Sequence, residues 1–198
     1  MLKVGITGGI GAGKSIISKL FQLYNIKVYN ADYFAKYLMQ NDLELIQKIK
    51  AVFGVNVYTD RKLNRKKLAE IVFGDITKLQ QLNSLVHPAV AKHSIIWMKQ
   101  QSGPYVLKEA ALLFETNSHK SLDCTILVTA PEKIRIARVM KRDNTDAESV
   151  KLRMDKQLKD NEKMVFADFV IINDGILPII PQVNKIHQKL LKKSIAKV

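Results

Sequence analysis

Eight consecutive residues near the start of the chain, Gly8-Gly9-Ile10-Gly11-Ala12-Gly13-Lys14-Ser15, fit the pattern G-x-x-x-x-G-K-[ST] at every position. A loop that wraps phosphate must turn several backbone N–H groups inward, which needs unusual backbone angles and little side-chain bulk, hence glycine. The lysine of such a loop reaches the β- and γ-phosphates, and the hydroxyl after it can ligate Mg²⁺. A helix beginning near Gly13 would aim its positive end at the same phosphates. The pattern therefore predicts binding of a nucleoside triphosphate. It does not name the reaction.

The elements around the loop agree with it. Leu2 to Thr7 is a short β-favouring run before the glycines. After them Ile16, Ile17, Leu20, Phe21 and Leu23 follow at helical spacing and are expected on one broad face. Further strands are predicted at Lys27–Tyr29, Tyr105–Leu107, Cys124–Thr129 and Phe169–Ile172, each followed by a helical stretch. Pro131 suits the opening of one helix, where its missing N–H costs little. Ile179, Val183, Ile186 and Leu190 give the last helix an apolar stripe for packing on a sheet. Strands alternating with helices imply parallel βαβ units, so the fold class is α/β, with a long helical insert between the second and third strands.

Composition narrows the class further. The 198 residues suit one domain with a subdomain, 47% are hydrophobic and 25% charged, and a single cysteine rules out an intrachain disulfide. That cysteine, Cys124, lies in an apolar strand and reads as a buried thiol, and Trp97 as core. The formal charge is +14, which suits either a polyanionic partner or a lysine-rich proteome. The C-terminal Lys185, Lys189, Lys192, Lys193 and Lys197 read as a solvated helix edge. Apolar runs are shorter than the roughly 18–20 residues of a transmembrane helix, and the first runs straight into glycine, so neither a membrane span nor a signal peptide is expected and the cytoplasm is the default.

Within the class, no N-K-x-D guanine reader is present, and motors or helicases are usually larger. Glu109, after the third strand, is either a Mg²⁺-water ligand or a solvated strand-end residue. Small size, the insert and an arginine cluster fit a small-molecule kinase best.

Four further segments line up with the loop: Asn30-Ala31-Asp32, Leu85-Val86-His87-Pro88, Leu112-Leu113-Phe114-Glu115, and the set Arg135, Arg138, Arg142 and Asp143. With Thr7 to Gly11, and on to Ala167-Asp168-Phe169-Val170-Ile171 and Asn173-Asp174-Gly175, they span nearly the whole chain. The chain resembles the dephospho-coenzyme A kinases. The resemblance implies ATP-dependent phosphorylation of the ribose 3′-hydroxyl of dephospho-coenzyme A, the last step of coenzyme A synthesis. It also implies a P-loop kinase core with a parallel five-stranded sheet flanked by helices, here 1–31, 102–137 and 160–198, with a helical substrate domain at 32–101 and a lid at 138–159.

Three positions depart from the family pattern: Asn30 replaces the first acid of D-A-D, Lys36 stands where arginine is usual, and Ala111 replaces the proline before Leu-Leu-Phe-Glu. What the resemblance carries over is then as follows. ATP, with Mg²⁺ on Ser15, is held by Gly8, Gly9, Gly11, Ala12, Gly13, Lys14, Ser15 and Ile16. Asp32, Lys14, Arg138 and Arg142 do the catalytic work. Asp32, Lys36, Arg65, His87 and Glu115 contact the substrate. Each has a plainer reading. Asp32 suits a helix N-cap, the arginines a solvated basic face, and His87-Pro88 a helix start. Arg153 and Gln157 fall in the expected lid. A nucleoside monophosphate kinase and a nucleic-acid-binding ATPase are the competing functions. The second needs an aromatic-interleaved basic stretch that the chain lacks, so no nucleic acid and no membrane is expected, and the chain is expected to be a monomer or a weak homo-oligomer.

Overall fold

The computed structural model describes residues 1–72 and 74–196. Lys197 of the expected lysine edge lies outside the described residues. The chain divides into two compact units, residues 1–30 with 100–198, and residues 31–99.

The first unit is the α/β part. It holds β1 (Leu2–Thr7), α1 (Lys14–Leu23) and β2 (Lys27–Asn30) before the insert. The second unit is the insert itself, with α2 (Ala31–Asn41), α3 (Leu43–Phe53), β3 (Tyr58–Thr59), β4 (Lys62–Leu63), α4 (Arg65–Val72) and α5 (Ile76–Lys99). The chain then returns to the first unit with β5 (Tyr105–Glu109), β6 (Cys124–Thr129), α6 (Glu132–Asp143), α7 (Ala147–Met154), α8 (Asp160–Met164), β7 (Phe169–Ile172) and α9 (Ile179–Ile195).

β1, β2, β5, β6 and β7 form one parallel sheet in the order β2-β5-β1-β6-β7. Near-continuous runs of Val, Ile and Leu make such strands buried on both faces, and Val4, Ile6, Val106, Leu107, Ile126, Leu127 and Val128 are all fully buried. On one face Ile17 and Phe21 of α1 and Val183, Ile186 and Leu190 of α9 complete the core. Burial of this kind is the main stabilising term, about 25 cal/mol per Å² of apolar surface.

Several local expectations are corrected. Ile16 and Leu23 are 56% and 79% exposed, because the 100° step of a helix leaves only Ile17, Ser18 and Phe21 buried in α1. β5 is followed by turns and a short 3-10 helix at Ser118–Ser121 in place of an α-helix, with Asn117 in the left-handed region interrupting the chain. Pro88 starts nothing: it lies inside the 24-residue α5, whose Val86, Val90, Ser94 and Met98 keep one buried face. Thr59-Asp60-Arg61 is more than a break, since Asp60 and Arg61 both take positive φ and close a β3–β4 hairpin. Lys193 is no free edge residue, as its ammonium lies 2.9 Å from Cys124 Sγ.

Candidate active site

Open parallel sheets bind ligands beyond the carboxyl ends of their strands, and here the phosphate loop leaves β1 at that end. Gly11 and Gly13 both have positive φ, 77° and 96°, and Gly13 serves as N-cap of α1. A Cβ on Gly11 would sit 2.5 Å from the Arg135 carbonyl oxygen, and one on Gly13 would overlap the Asn173 amide. Glycine is required at both places by angle and by space together.

The Lys14 ammonium donates to Gly8 O at 2.7 Å and to Gly9 O at 3.4 Å, folded over the loop it serves. The Ser15 hydroxyl donates to Glu109 Oε1 at 2.8 Å. Glu109 pairs with Ile6 on one side and Asn30 on the other, so strand register fixes it between two strand ends. It is only 6% exposed, which removes the solvated reading. A hydroxyl and a buried carboxylate side by side are the hard oxygen donors that suit Mg²⁺.

Arginines close the other side of the loop. The Arg135 guanidinium packs so near Gly9 that a Cβ there would overlap its Nη1, and Arg135 Nη1 lies 3.6 Å from Asp160 Oδ1. Arg138 donates to the Asn173 carbonyl at 3.0 Å and lies 3.4 Å from its side-chain oxygen. Asn173 Nδ2 in turn donates to Ala12 O of the loop at 2.8 Å. Arg142 has its partner at the end of α6. Its guanidinium donates twice to the adjacent Asp143, at 2.7 and 3.0 Å, and Arg153 donates to the same carboxylate. Those bonds hold the Asp143 carboxyl below the usual range.

Gln157 contributes a contact that its spacing with Arg153 does not suggest. Its Oε1 accepts the Ile10 N–H of the phosphate loop at 2.8 Å. Glu115 Oε1 accepts Leu158 N–H at 3.2 Å and lies 2.9 Å from Lys163 Nζ. Asp168 of the Ala-Asp-Phe segment ties two strands together, accepting from Thr125 N at 2.7 Å and Thr125 Oγ1 at 2.9 Å.

The remaining expected residues belong to the helical unit. α2 begins at Ala31, so Asp32 lies inside its first turn and not at the cap position. Asp32, Lys36, Arg65 and His87 are all exposed on that unit, Arg65 at the first position of α4. Glu109, Arg135 and Asn173 take larger parts in this site than their local sequence implies. The signal for Glu109 was its place at the end of a buried strand.

A family profile described as dephospho-CoA kinase (CoaE) matches residues 2–178. The chain belongs to the dephospho-CoA kinase family. The dephospho-CoA kinase of Bacteroides fragilis is 35% identical over 193 residues, covering 97% of this chain and 94% of the relative. Among solved structures, TT1252 from Thermus thermophilus superposes with a TM-score of 0.83 at 31% identity, over 95% of this chain and 96% of that one. The dephospho-CoA kinase from Campylobacter jejuni follows at 0.63 and 25%, over 95% and 96%. Membership sets the reaction as ATP-dependent phosphorylation of dephospho-coenzyme A, the final step of coenzyme A synthesis. Among the described residues no helix is long and apolar enough to cross a membrane.

Proposed function

We propose that the kinase works with the division of labour the phosphate loop suggests. Phosphoryl transfer asks a protein mainly for positioning and charge stabilisation. The loop amides and the start of α1 hold the phosphates. Lys14 exchanges its loop carbonyls for β- and γ-phosphate oxygens. Ser15, with Glu109 behind it, is the pair that would hold Mg²⁺, which when bound neutralises charge on the transferring phosphate. Arg135 and Arg138 place two guanidinium groups at the loop, and this reading gives them the part that the sequence assigned to Arg138 and Arg142. Arg142 serves the α6–α7 junction through Asp143.

Asp32 is the proposed base for the ribose 3′-hydroxyl, two residues beyond the end of β2. Lys36, Arg65 and His87 are the proposed substrate contacts of the helical unit. Residues 138–159 are the proposed lid. The partners are ATP and dephospho-coenzyme A alone, with no nucleic acid, in a cytoplasmic protein that is a monomer or a weak homo-oligomer.

The observation that supports the reading most is the Ser15–Glu109 pair beneath an intact phosphate loop, in a chain matched to this family along residues 2–178. The test is ADP release from Mg·ATP with dephospho-coenzyme A, AMP, CMP and single-stranded DNA offered separately, to wild type and Asp32→Asn. Turnover with dephospho-coenzyme A alone is expected, and Asp32→Asn should lower kcat by about 10²–10⁴-fold, the usual range for a general base. Undiminished turnover in Asp32→Asn would leave the carboxylate as a first-turn helix residue only. Stimulation by DNA or a mononucleotide alone would overturn the substrate assignment.

A further inference from the structure

Seven residues, Gln157 to Lys163, touch the phosphate loop and its supports at several points. Gln157 holds the Ile10 amide at 2.8 Å, and Asp160 faces the Arg135 guanidinium at 3.6 Å. The backbone of Leu158 and the ammonium of Lys163 both converge on one oxygen, Glu115 Oε1. Lys163 is buried to 0% side-chain exposure and Glu115 to 14%. A buried ion pair is weak evidence for stability, because desolvation offsets most of the attraction. Its best-attested use is to fix a register.

The resemblance assigns Glu115 to the substrate. The geometry argues otherwise. Oε1 is engaged with Leu158 and Lys163, and Oε2 is buried with no hydrogen-bond partner. Most of the buried polar atoms that lack a hydrogen bond among the described residues belong to this cluster: Glu115 Oε2, Lys163 Nζ, Asp160 Oδ1 and Arg135 Nε. Groups short of hydrogen bonds in a low dielectric make this cluster sensitive to the loss of either charge.

We propose that Glu115 and Lys163 are positioning residues of the ATP site: their buried ion pair fixes the segment 157–163, and through Gln157 it sets the Ile10 amide of the phosphate loop. Neither residue touches substrate. Leu158 is the link, since its N–H is bound by Glu115 and its neighbour carries the side chain that reaches the loop. The inference rests on the loop being the ATP site of this kinase.

The test compares wild type, Gln157→Ala, Glu115→Gln, Lys163→Met and the double variants Glu115→Gln/Gln157→Ala and Glu115→Gln/Lys163→Met. Steady-state constants are taken for each substrate separately, and calorimetry with a non-hydrolysable ATP analogue measures binding with no acceptor present. Gln157→Ala should weaken ATP roughly tenfold, the cost of one ordinary hydrogen bond, with KM for dephospho-coenzyme A unchanged. Glu115→Gln should show the same ATP-selective loss. It should add nothing once Gln157 is gone, because both act through one contact. Lys163→Met strands a buried carboxylate and should show the ATP-selective loss too, and the double variant should lose no more than Glu115→Gln alone, since that change already breaks the pair.

A rise in KM for dephospho-coenzyme A in Glu115→Gln would return that residue to the substrate and overturn the proposal. Additive losses in Glu115→Gln/Gln157→Ala, or unchanged ATP binding in Gln157→Ala, would overturn it as well. If Lys163→Met does not fold, the Glu115 and Gln157 variants decide alone. Failure of wild type to phosphorylate dephospho-coenzyme A would instead refute the substrate assignment, and the calorimetry would still judge the positioning claim.

Discussion

Glu109→Gln isolates one charge at the foot of the phosphate loop. The replacement keeps an oxygen 2.8 Å from the Ser15 hydroxyl to accept its hydrogen bond, and it keeps the shape of a side chain held between Ile6 and Asn30. It removes the negative charge that would favour a divalent cation beside Ser15. A hydrogen bond to a charged group contributes about 1.5–3 kcal/mol against about 0.5–1.5 kcal/mol for a neutral one, so the change costs about 1–1.5 kcal/mol. At about 1.4 kcal/mol per decade, kcat should fall by roughly five- to tenfold. Stability should move the other way or not at all, since burying an ionised carboxylate costs free energy that the amide avoids. The assay is ADP release with dephospho-coenzyme A over a Mg²⁺ titration, alongside thermal melting of both proteins. The variant should need more Mg²⁺ for half-maximal rate and melt no lower than wild type. A wild-type kcat and an unshifted Mg²⁺ curve would refute the reasoning, leaving the Ser15–Glu109 bond as an anchor for the start of α1. A large drop in melting temperature would point to the same structural role.

Asn173→Ala removes the donor to Ala12 O and the side-chain acceptor near Arg138, so the buried Ala12 carbonyl loses that bond. A loss of about 1–3 kcal/mol in urea denaturation is expected, with a fall in kcat as the Arg138 guanidinium loosens. The buried ring of His187 stacks on Tyr24 at 4.3 Å and its Nδ1 lies 2.7 Å from the Tyr105 hydroxyl. Burial lowers the His187 pKa below its ordinary 6.5, so the unfolded chain takes up a proton first as pH falls. The contribution is intact above about pH 6.5, the unfolded value, and is lost as pH drops through the lower folded one. The melting temperature of wild type should therefore fall between pH 7 and pH 5, and His187→Asn should flatten that slope.

The sheet was legible because its strands are short apolar runs closed by turn residues, and all five appear where the pattern puts them. β5 extends two residues past the predicted Leu107, to Lys108 and Glu109, because the ladder with β1 and β2 continues over residues whose side chains are polar. Hydrophobic pattern stops there; backbone pairing does not. The crossover after β5 departs from the expected helix for the converse reason. Leu112, Leu113 and Phe114 look like one turn of an apolar helix, yet only Leu113 and Phe114 are buried, in a run of turns. The loop is legible in the sequence because its glycines answer to local backbone angles.

Contacts that complete the site were hidden by distance along the chain. Gln157 meets Ile10 across 147 residues, and Asn173 meets Ala12 across 161. No local periodicity encodes a side chain bonding to a remote backbone group. The arginines show the same boundary from the other side. Residues 135, 138 and 142 do share a helical face, as their three- and four-residue steps require. A face also has length: at 1.5 Å per residue, Arg142 sits about 10 Å along the axis from Arg135. Arg135 packs against Gly9 and Arg138 reaches Asn173 behind the loop, whereas Arg142 is left at the last turn of α6, with Asp143 as its partner. Spacing fixes the azimuth of a side chain and leaves its depth to tertiary structure. Spacing therefore puts three arginines on one face, and tertiary structure decides that Arg135 packs on Gly9 while Arg138 meets Asn173.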